Sequence, residues 1–344
     1  MQKSLIFDLD YEALSDQLEE WGEPGYRADQ IWKGLYQHLW DAPEEFSNLP
    51  LALRQKLDET YSFSSLAPSK SLESTDGQTQ KTLFALPDGK AVETVLMRYD
   101  ERRTLCISTQ VGCAMGCTFC ATGQMGFGRN LSSGEIVEQV LHFEKKLREE
   151  DEHVTNVVVM GMGEPFHNYE ETLKAIETLN ASNGFNMGAR RFTISTVGLI
   201  PAIERFAKES LQINLAVSLH AADDELRASM LPINQRYPIT ALIEACRDYV
   251  HQTRRRITFE WALIQGVNDT REQAQKLAGL LQGLLCHVNL IPLNPTAGYV
   301  GEGSTEERAN AFKSVLEQSN IPCTIRVRRG IDIAAGCGQL AVES

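Results

Sequence analysis

The 344 residues, 42% of them apolar, suffice for one large α/β domain or for a large domain with a smaller appendage, and they hold no run long enough to span a membrane. Met1-Gln2-Lys3-Ser4 lacks a basic-then-apolar leader, and eight cysteines without a paired framework suit a reducing compartment, so a cytoplasmic protein is expected. The formal net charge of -13 counts against a nucleic-acid partner, yet residues 1–100 carry 18 acidic against 9 basic side chains and the rest 28 against 24, so the acid excess sits mainly in front. Local basic clusters remain at Arg190-Arg191, Arg254-Arg255-Arg256 and Arg326 with Arg328-Arg329, each equally readable as a solvated strand end.

Along the chain, residues 10–60 read as short helices: Tyr11 to Trp21, Ala28 to Trp40 with Ile31, Leu35 and Leu39 at helical spacing, and Leu51 to Tyr61. Between about 67 and 100 the pattern alternates, and Pro87-Asp88-Gly89 separates Lys81–Leu86 from Ala91–Tyr99 as a hairpin turn would. From Thr104 onward, apolar strands near 104–109, 154–160, 190–196, 212–219, 256–264 and 285–292 alternate with helical stretches near 132–149, 169–181, 199–208, 238–250, 270–283 and 304–318. That cadence predicts an α/β fold with a parallel sheet and crossover helices, a partial (β/α)6-type barrel. A further strand, 321–328, leads into a Gly-rich tail from Gly330 to Gly338. The expected division is a helical unit at 1–66, a β-hairpin linker or extension at 67–100, the barrel at 101–330 and a tail at 331–344.

In such an architecture the chemistry gathers at the C-terminal ends of strands. Cys113-Ala-Met-Gly-Cys117-Thr-Phe-Cys120 follows the first strand and Gly161-Met162-Gly163-Glu164-Pro165 the second. Ser195 ends the third, Ser218-Leu219-His220 the fourth, and Asn294 follows the sixth. Three thiolates spaced C-x3-C-x2-C, with no fourth cysteine nearby, can hold three irons of a [4Fe-4S] cluster and leave the fourth open to substrate or cofactor. A structural zinc would ask for four ligands, commonly as two separated pairs. With Phe119 just before the last cysteine, the motif resembles that of the radical S-adenosylmethionine superfamily. The cofactor's amino and carboxylate groups would chelate the open iron, and Gly161 to Glu164 would offer backbone acceptors and a carboxylate to its ammonium. An electron from the cluster would then cleave the sulfonium to a 5′-deoxyadenosyl radical.

Read singly, the other cysteines point nowhere. Cys106 in the first strand reads as a small apolar core residue and Cys337, between two glycines, as an incidental thiol. Cys246, Cys286 and Cys323 lie in apolar periodic segments and read as core, and Glu93 reads as a solvated strand carboxylate.

Taken together, Val111 through Leu131, Met160-Gly-Met-Gly-Glu-Pro165, Ser218-Leu-His220, Ala335-Gly-Cys-Gly338 and the N-terminal Tyr26-Arg-Ala-Asp-Gln-Ile-Trp32 resemble the RlmN/Cfr family of radical S-adenosylmethionine RNA methyltransferases over nearly the whole chain. The resemblance implies roles that spacing could not show. Cys113, Cys117 and Cys120 would hold the cluster; Gly163, Glu164, Ser195, Ser218, Leu219, His220 and Asn294 would bind S-adenosylmethionine. Cys337 would be the methyl-carrying cysteine, Cys106 the thiol that resolves a protein-RNA adduct, and Glu93 the proton acceptor. The N-terminal helical unit would be an RNA-binding accessory domain.

C2 of adenine is a poor nucleophile, so displacement on the sulfonium has no electron pair to use and another carbon donor is needed. In the family mechanism one S-adenosylmethionine methylates Cys337 and a second supplies the radical, two per turnover, and Cys106 and Cys337 end as a disulfide. That pairing requires Cα atoms within about 7 Å. The implied substrates are an adenosine of the peptidyl-transferase region of 23S rRNA and the adenosine 3′ to the anticodon in tRNA, with a flavodoxin-type electron donor, a monomeric enzyme and no membrane. Gln124 to Leu131 resembles the C2-methylating branch more than the C8-methylating resistance branch. Other readings are a radical enzyme with a non-RNA substrate, which would need neither Cys106 nor Cys337, and a non-catalytic RNA-binding or zinc-stabilised module.

Overall fold

Helical spacing and caps build the first sixty residues. The computed structural model describes residues 3–341, so positions 1–2 and 342–344 of the predicted first and last segments lie outside the described residues. Strand β1 (Ser4–Leu5), helices α1 (Tyr11–Glu20), α2 (Tyr26–Tyr36) and α3 (Leu51–Thr60) and strand β2 (Tyr61–Ser62) come first. Asp10 caps α1 by accepting from the Ala13 N–H at 2.8 Å. α2 stops at Tyr36 rather than at the expected Trp40, and Leu39 turns the chain with φ of 57°. β1 and β2 pair in parallel and so close the two ends of the unit.

Next come β3 (Ala67–Glu73), β4 (Thr79–Ala85), β5 (Ala91–Arg98), β6 (Arg103–Cys106), β7 (Gln110–Gly112), α4 (Ala121–Gln124), β8 (Phe127–Asn130), α5 (Ser133–Arg148), β9 (Asn156–Val159) and α6 (Tyr169–Asn180). The chain continues with β10 (Phe192–Thr196), α7 (Ile200–Phe206), β11 (Asn214–Ser218), α8 (Asp224–Met230), α9 (Ile239–Thr253), β12 (Ile257–Leu263), α10 (Arg271–Leu281), β13 (Cys286–Pro292), α11 (Glu306–Gln318) and β14 (Cys323–Ile325). The ten strands of the main sheet run in the order β14-β13-β12-β11-β10-β9-β6-β5-β4-β3. From β6 to β14 every neighbour is parallel, as six βα units demand; β5, β4 and β3 extend the sheet antiparallel. The order is linear, so the curved sheet is a partial barrel with an open side between β14 and the antiparallel extension. β3 is an edge strand exposed along almost its whole length, so its sequence carries no apolar alternation.

Period-two alternation decides which side chains meet. Phe192, Ile194, Leu215, Val217, Phe259 and Val288 point outward into the helical layer and are fully buried or nearly so. Their neighbours Thr193, Ser195, Thr258, Glu260, His287 and Asn289 point inward and line a cavity of about 970 Å³. The N-terminal unit packs on α5. Asp8 accepts from the Gly134 N–H at 2.8 Å, and Ser65 donates its N–H and hydroxyl to buried Glu138. Ile6, Phe7, Trp32 and Leu57 thereby share one hydrophobic core with Val137, Val140 and the barrel.

Candidate functional site

The cysteine loop between β7 and α4 is shaped by its glycines. Gly112 has φ of 69°, and a Cβ there would lie 1.9 Å from the Gly126 carbonyl oxygen. Only glycine lets β7 and β8 close around the loop. Cys113 N–H donates to Gly126 at 2.8 Å, Cys120 N–H to the Cys117 carbonyl at 3.2 Å, and Thr118 N–H to Met230 at the end of α8 at 3.0 Å. Cys117 and Phe119 pack with Met230, Leu231, Ala262, Ile264 and Leu293, a small apolar shell apart from the main core. Burial pushes the Cys113 thiol up to about 12 and raises Cys117 as well, and each is raised further by Cys120 and Glu164. Thiols that disfavour their own ionisation in this way are what a cationic iron cluster would relieve. Among the described residues no three His, Cys, Asp or Glu side chains close on one point for a single ion. A cluster differs in taking one thiolate on each of three irons.

The strand ends converge opposite this loop. A Cβ on Gly163 (φ of 106°) would meet Gln110 Cβ at 2.6 Å, so the β9 turn is pressed against the segment leading into the cysteines. Glu164 is buried, accepts from the N–H groups of Phe166 at 3.0 Å and Val197 at 2.9 Å, and desolvation lifts its carboxyl to about 7. An ammonium brought to it would restore the ionised form. Ser195 and Ser218 face each other at 3.5 Å between hydroxyl oxygens. His220 takes φ of 61°; its Nδ1 accepts from the Ala262 N–H at 2.9 Å, and burial holds it neutral, down to about 3. Leu219 between them is fully buried, so it can offer the site only backbone. Asn294 donates from Nδ2 to the Cys337 carbonyl at 3.1 Å, while its buried Oδ1 has no hydrogen-bond partner among the described residues. An orphaned buried acceptor lining the same cavity as the buried Glu164 carboxyl fits an N–H-bearing cofactor.

The tail crosses this site. Gly338 C=O accepts from Ala121 N–H at 2.8 Å, Leu340 C=O from Thr122 Oγ1 at 2.6 Å, and Gln339 Nε2 donates to Pro295 at 2.8 Å. Cys337 is thus laid over the end of the cluster loop and shares the cavity with Cys106. It is open to the cavity, yet the surrounding protein pushes its thiol up to about 12, burial first and then Cys106, Glu260 and Cys120. Cys106 is lifted to about 12 by burial. Both cysteines are free thiols.

Glu93 is not a solvated strand carboxylate. It is buried, pairs with Lys81 Nζ at 2.8 Å and accepts from Ala341 N–H at 3.0 Å, while Lys81 also donates to Ala334 C=O at 3.1 Å. One ion pair therefore grips both ends of the tail segment. Three further residues drew no notice in the sequence. Arg227, fully buried, donates to the carbonyls of Val197 (2.7 Å), Leu219 (3.1 Å) and Ser218 (3.2 Å) and fixes two strand ends at once. Glu260 and Asn289 face the cavity from β12 and β13. A carboxylate inside the apolar strand Ile257–Leu263 was the available signal.

The arginine clusters also come together. Arg190, Arg255 and Arg256, which lead into β10 and β12, line the same cavity as Arg326, Arg328 and Arg329 on its open side.

Comparison with known proteins agrees with this geometry. Residues 107–278 match the model of the radical SAM superfamily, and residues 5–62 that of the ribosomal RNA large subunit methyltransferase N-terminal domain. Relatives described as dual-specificity RNA methyltransferase RlmN, probable in Chloroflexus aurantiacus and RlmN 1 in Myxococcus xanthus, are each 50% identical, covering 99% and 97% of this chain and 93% of their own. The chain belongs to the RlmN family. A radical SAM methyltransferase from Sphaerobacter thermophilus, 50% identical, superposes with a TM-score of 0.96 over 98% of this chain and 99% of its own. The chain thus has the α/β fold of radical SAM enzymes with the N-terminal domain of RlmN proteins, and that family implies S-adenosylmethionine and a [4Fe-4S] cluster. No helix among the described residues is long and apolar enough to cross a membrane.

Proposed function

We propose that this RlmN-family protein methylates C2 of an adenosine in 23S rRNA and of the adenosine 3′ to the anticodon in tRNA. The observation that carries the reading is Cys337, held by the tail over the cysteine loop and facing the cavity it shares with Cys106. A radical enzyme of another class needs neither thiol. The arginines at the cavity give RNA phosphates a footing that the net charge of -13 concealed. The units at 1–66, 67–100, 101–330 and 331–344 serve as RNA-binding accessory domain, sheet extension, radical barrel and methyl-carrying tail.

Cys113, Cys117 and Cys120 would hold the cluster, and Gly163, Glu164, Ser195, Ser218, Leu219, His220 and Asn294 would hold S-adenosylmethionine. When bound, these groups supply an electrophilic methyl group and, from a second molecule, a hydrogen-abstracting radical. The Cys337 thiolate takes the methyl group by displacement and later yields one hydrogen atom from it. The thiomethylene carbon then adds to C2, joining protein and RNA and leaving an unpaired electron on the ring, which would return to the cluster held by Cys113, Cys117 and Cys120. Glu93 accepts the ring proton once the tail releases it. Cys106 attacks the Cys337 sulfur, the S–C bond breaks with its electron pair on the methylene carbon, which takes up a proton to become the methyl group, methylated RNA leaves, and an external two-electron reductant reopens the disulfide. The enzyme works as a cytoplasmic monomer with a flavodoxin-type donor.

The test is an anaerobic assay of reconstituted protein with S-adenosylmethionine, a reductant and unmodified 23S rRNA fragment or tRNA, read by nucleoside mass spectrometry. 2-Methyladenosine that vanishes in Cys337→Ala is the expected result. 8-Methyladenosine would move the protein to the resistance branch, and cofactor cleavage without any methylated adenosine would overturn the reading.

A further inference from the structure

Parallel pairing puts Ser218, Glu260, Asn289 and Thr324 side by side on neighbouring strands β11 to β14, one inward-facing rung across the barrel. Glu260 is 6% exposed and faces the cavity. Its carboxylate accepts one hydrogen bond among the described residues, from Asn289 Nδ2 at 2.9 Å, and Arg326 acts on it electrostatically without a direct ion pair. A buried carboxylate with a single amide partner has spare acceptor capacity that an apolar or solvated role does not explain. Glu260 lines the same cavity as Cys337, the thiol proposed to carry the transferred carbon.

The two side chains present complementary groups from adjacent strands. Glu260 has a free acceptor oxygen, and Asn289 Nδ2 keeps a second N–H beyond the one given to Glu260. An acceptor beside a donor matches the amidine edge of adenine, where an exocyclic amine donates next to a ring nitrogen that accepts. Guanine reverses the pattern and would set its carbonyl against the carboxylate. We infer that Glu260, with Asn289, reads the exocyclic amine of the target adenine and selects adenosine for methylation. This rests on the proposed RNA reading. S-adenosylmethionine also carries an adenine, and Ser218 of the proposed cofactor set is the register neighbour of Glu260, so the experiment separates the two bases.

The experiment is a double-mutant cycle on full-length reconstituted enzyme. RNA hairpins carry adenosine or purine riboside, which lacks the amine, at the target position, and wild type is compared with Glu260→Ala, which removes the acceptor. Wild type should lose roughly 10- to 100-fold in kcat/KM on purine riboside. Glu260→Ala should lose a similar factor on adenosine and show no further loss on purine riboside. Fluorescence anisotropy with the same hairpins gives the comparison without turnover, and circular dichroism checks that the variant folds. Should Glu260→Ala unfold, Asn289→Ala takes its place with the same expected non-additivity. Equal penalties for purine riboside in wild type and variant overturn the inference. So does a Glu260→Ala enzyme whose RNA discrimination is intact but whose KM for S-adenosylmethionine rises, since the carboxylate would then read the cofactor. A wild type that cleaves cofactor yet leaves adenosine RNA unmodified overturns the underlying reading, and this inference with it.

Discussion

Cys337 and Cys106 are chemically identical thiols, both lifted to about 12 by burial, and position alone separates the tasks proposed for them. Burial disfavours the thiolate of both, so neither is activated by its own surroundings. Cys106→Ala should therefore still acquire the methyl group and add to RNA but fail to release it. A covalent protein-RNA band on a denaturing gel, removed by nuclease, checks this outcome. Gly336 is a sharper probe of placement, because a Cβ there would meet Asn294 Nδ2 at 2.6 Å and Gln339 Oε1 at 2.7 Å. Gly336→Ala should displace Cys337 and cost on the order of 10²-fold in kcat with little change in thermal stability. Calorimetry beside the methylation assay separates the two effects.

Helix α5 shows what an element contributes when it carries a buried carboxyl. Glu138, on the face against the N-terminal unit, is raised from 4.5 to about 7 by desolvation, against the opposing hydrogen bonds from Ser65. A carboxyl with a raised native pKa binds protons more tightly folded than unfolded. Its stabilising contribution is complete below about pH 4.5 and is lost as pH rises through about 7. Glu138→Gln keeps an acceptor for Ser65 and removes the titration. The stability of wild type relative to Glu138→Gln should fall by about 3 kcal/mol between pH 4.5 and 8, read from urea midpoints. Elements of this kind were legible where one face was apolar: the observed spans of α5, α6, α10 and α11 lie within three residues of the predicted ones at each end. α8, seven residues long, and β3, exposed at the sheet edge, were not, because neither carries a full period of buried positions.

For the whole molecule the decisive quantity is where charge lies, not its sum. A net of -13 is compatible with RNA binding because arginines separated by more than a hundred residues line one cavity. Affinity for an RNA hairpin should fall steeply with salt, and Arg256→Gln and Arg328→Gln should each lower the slope of log K against log salt by roughly 1. Unchanged slopes in both variants would move the phosphate path elsewhere on the molecule.

The chain order of the six main βα units, the glycine turns and the three-cysteine loop follow from the sequence alone, since each depends on near neighbours: periodicity, turn chemistry and ligand spacing. The residues at Ser195, Ser218, His220 and Asn294 were legible because a parallel barrel forces strand ends to one rim. What only the tertiary structure decided are the pairings between distant positions. The Lys81–Glu93 grip on the tail, the Arg227 brace under two strand ends and the Glu260–Asn289 rung depend on strand register and burial. A period of two tells which side chains share a face, but not which strand lies beside which, and the chemistry of this cavity is set by that adjacency.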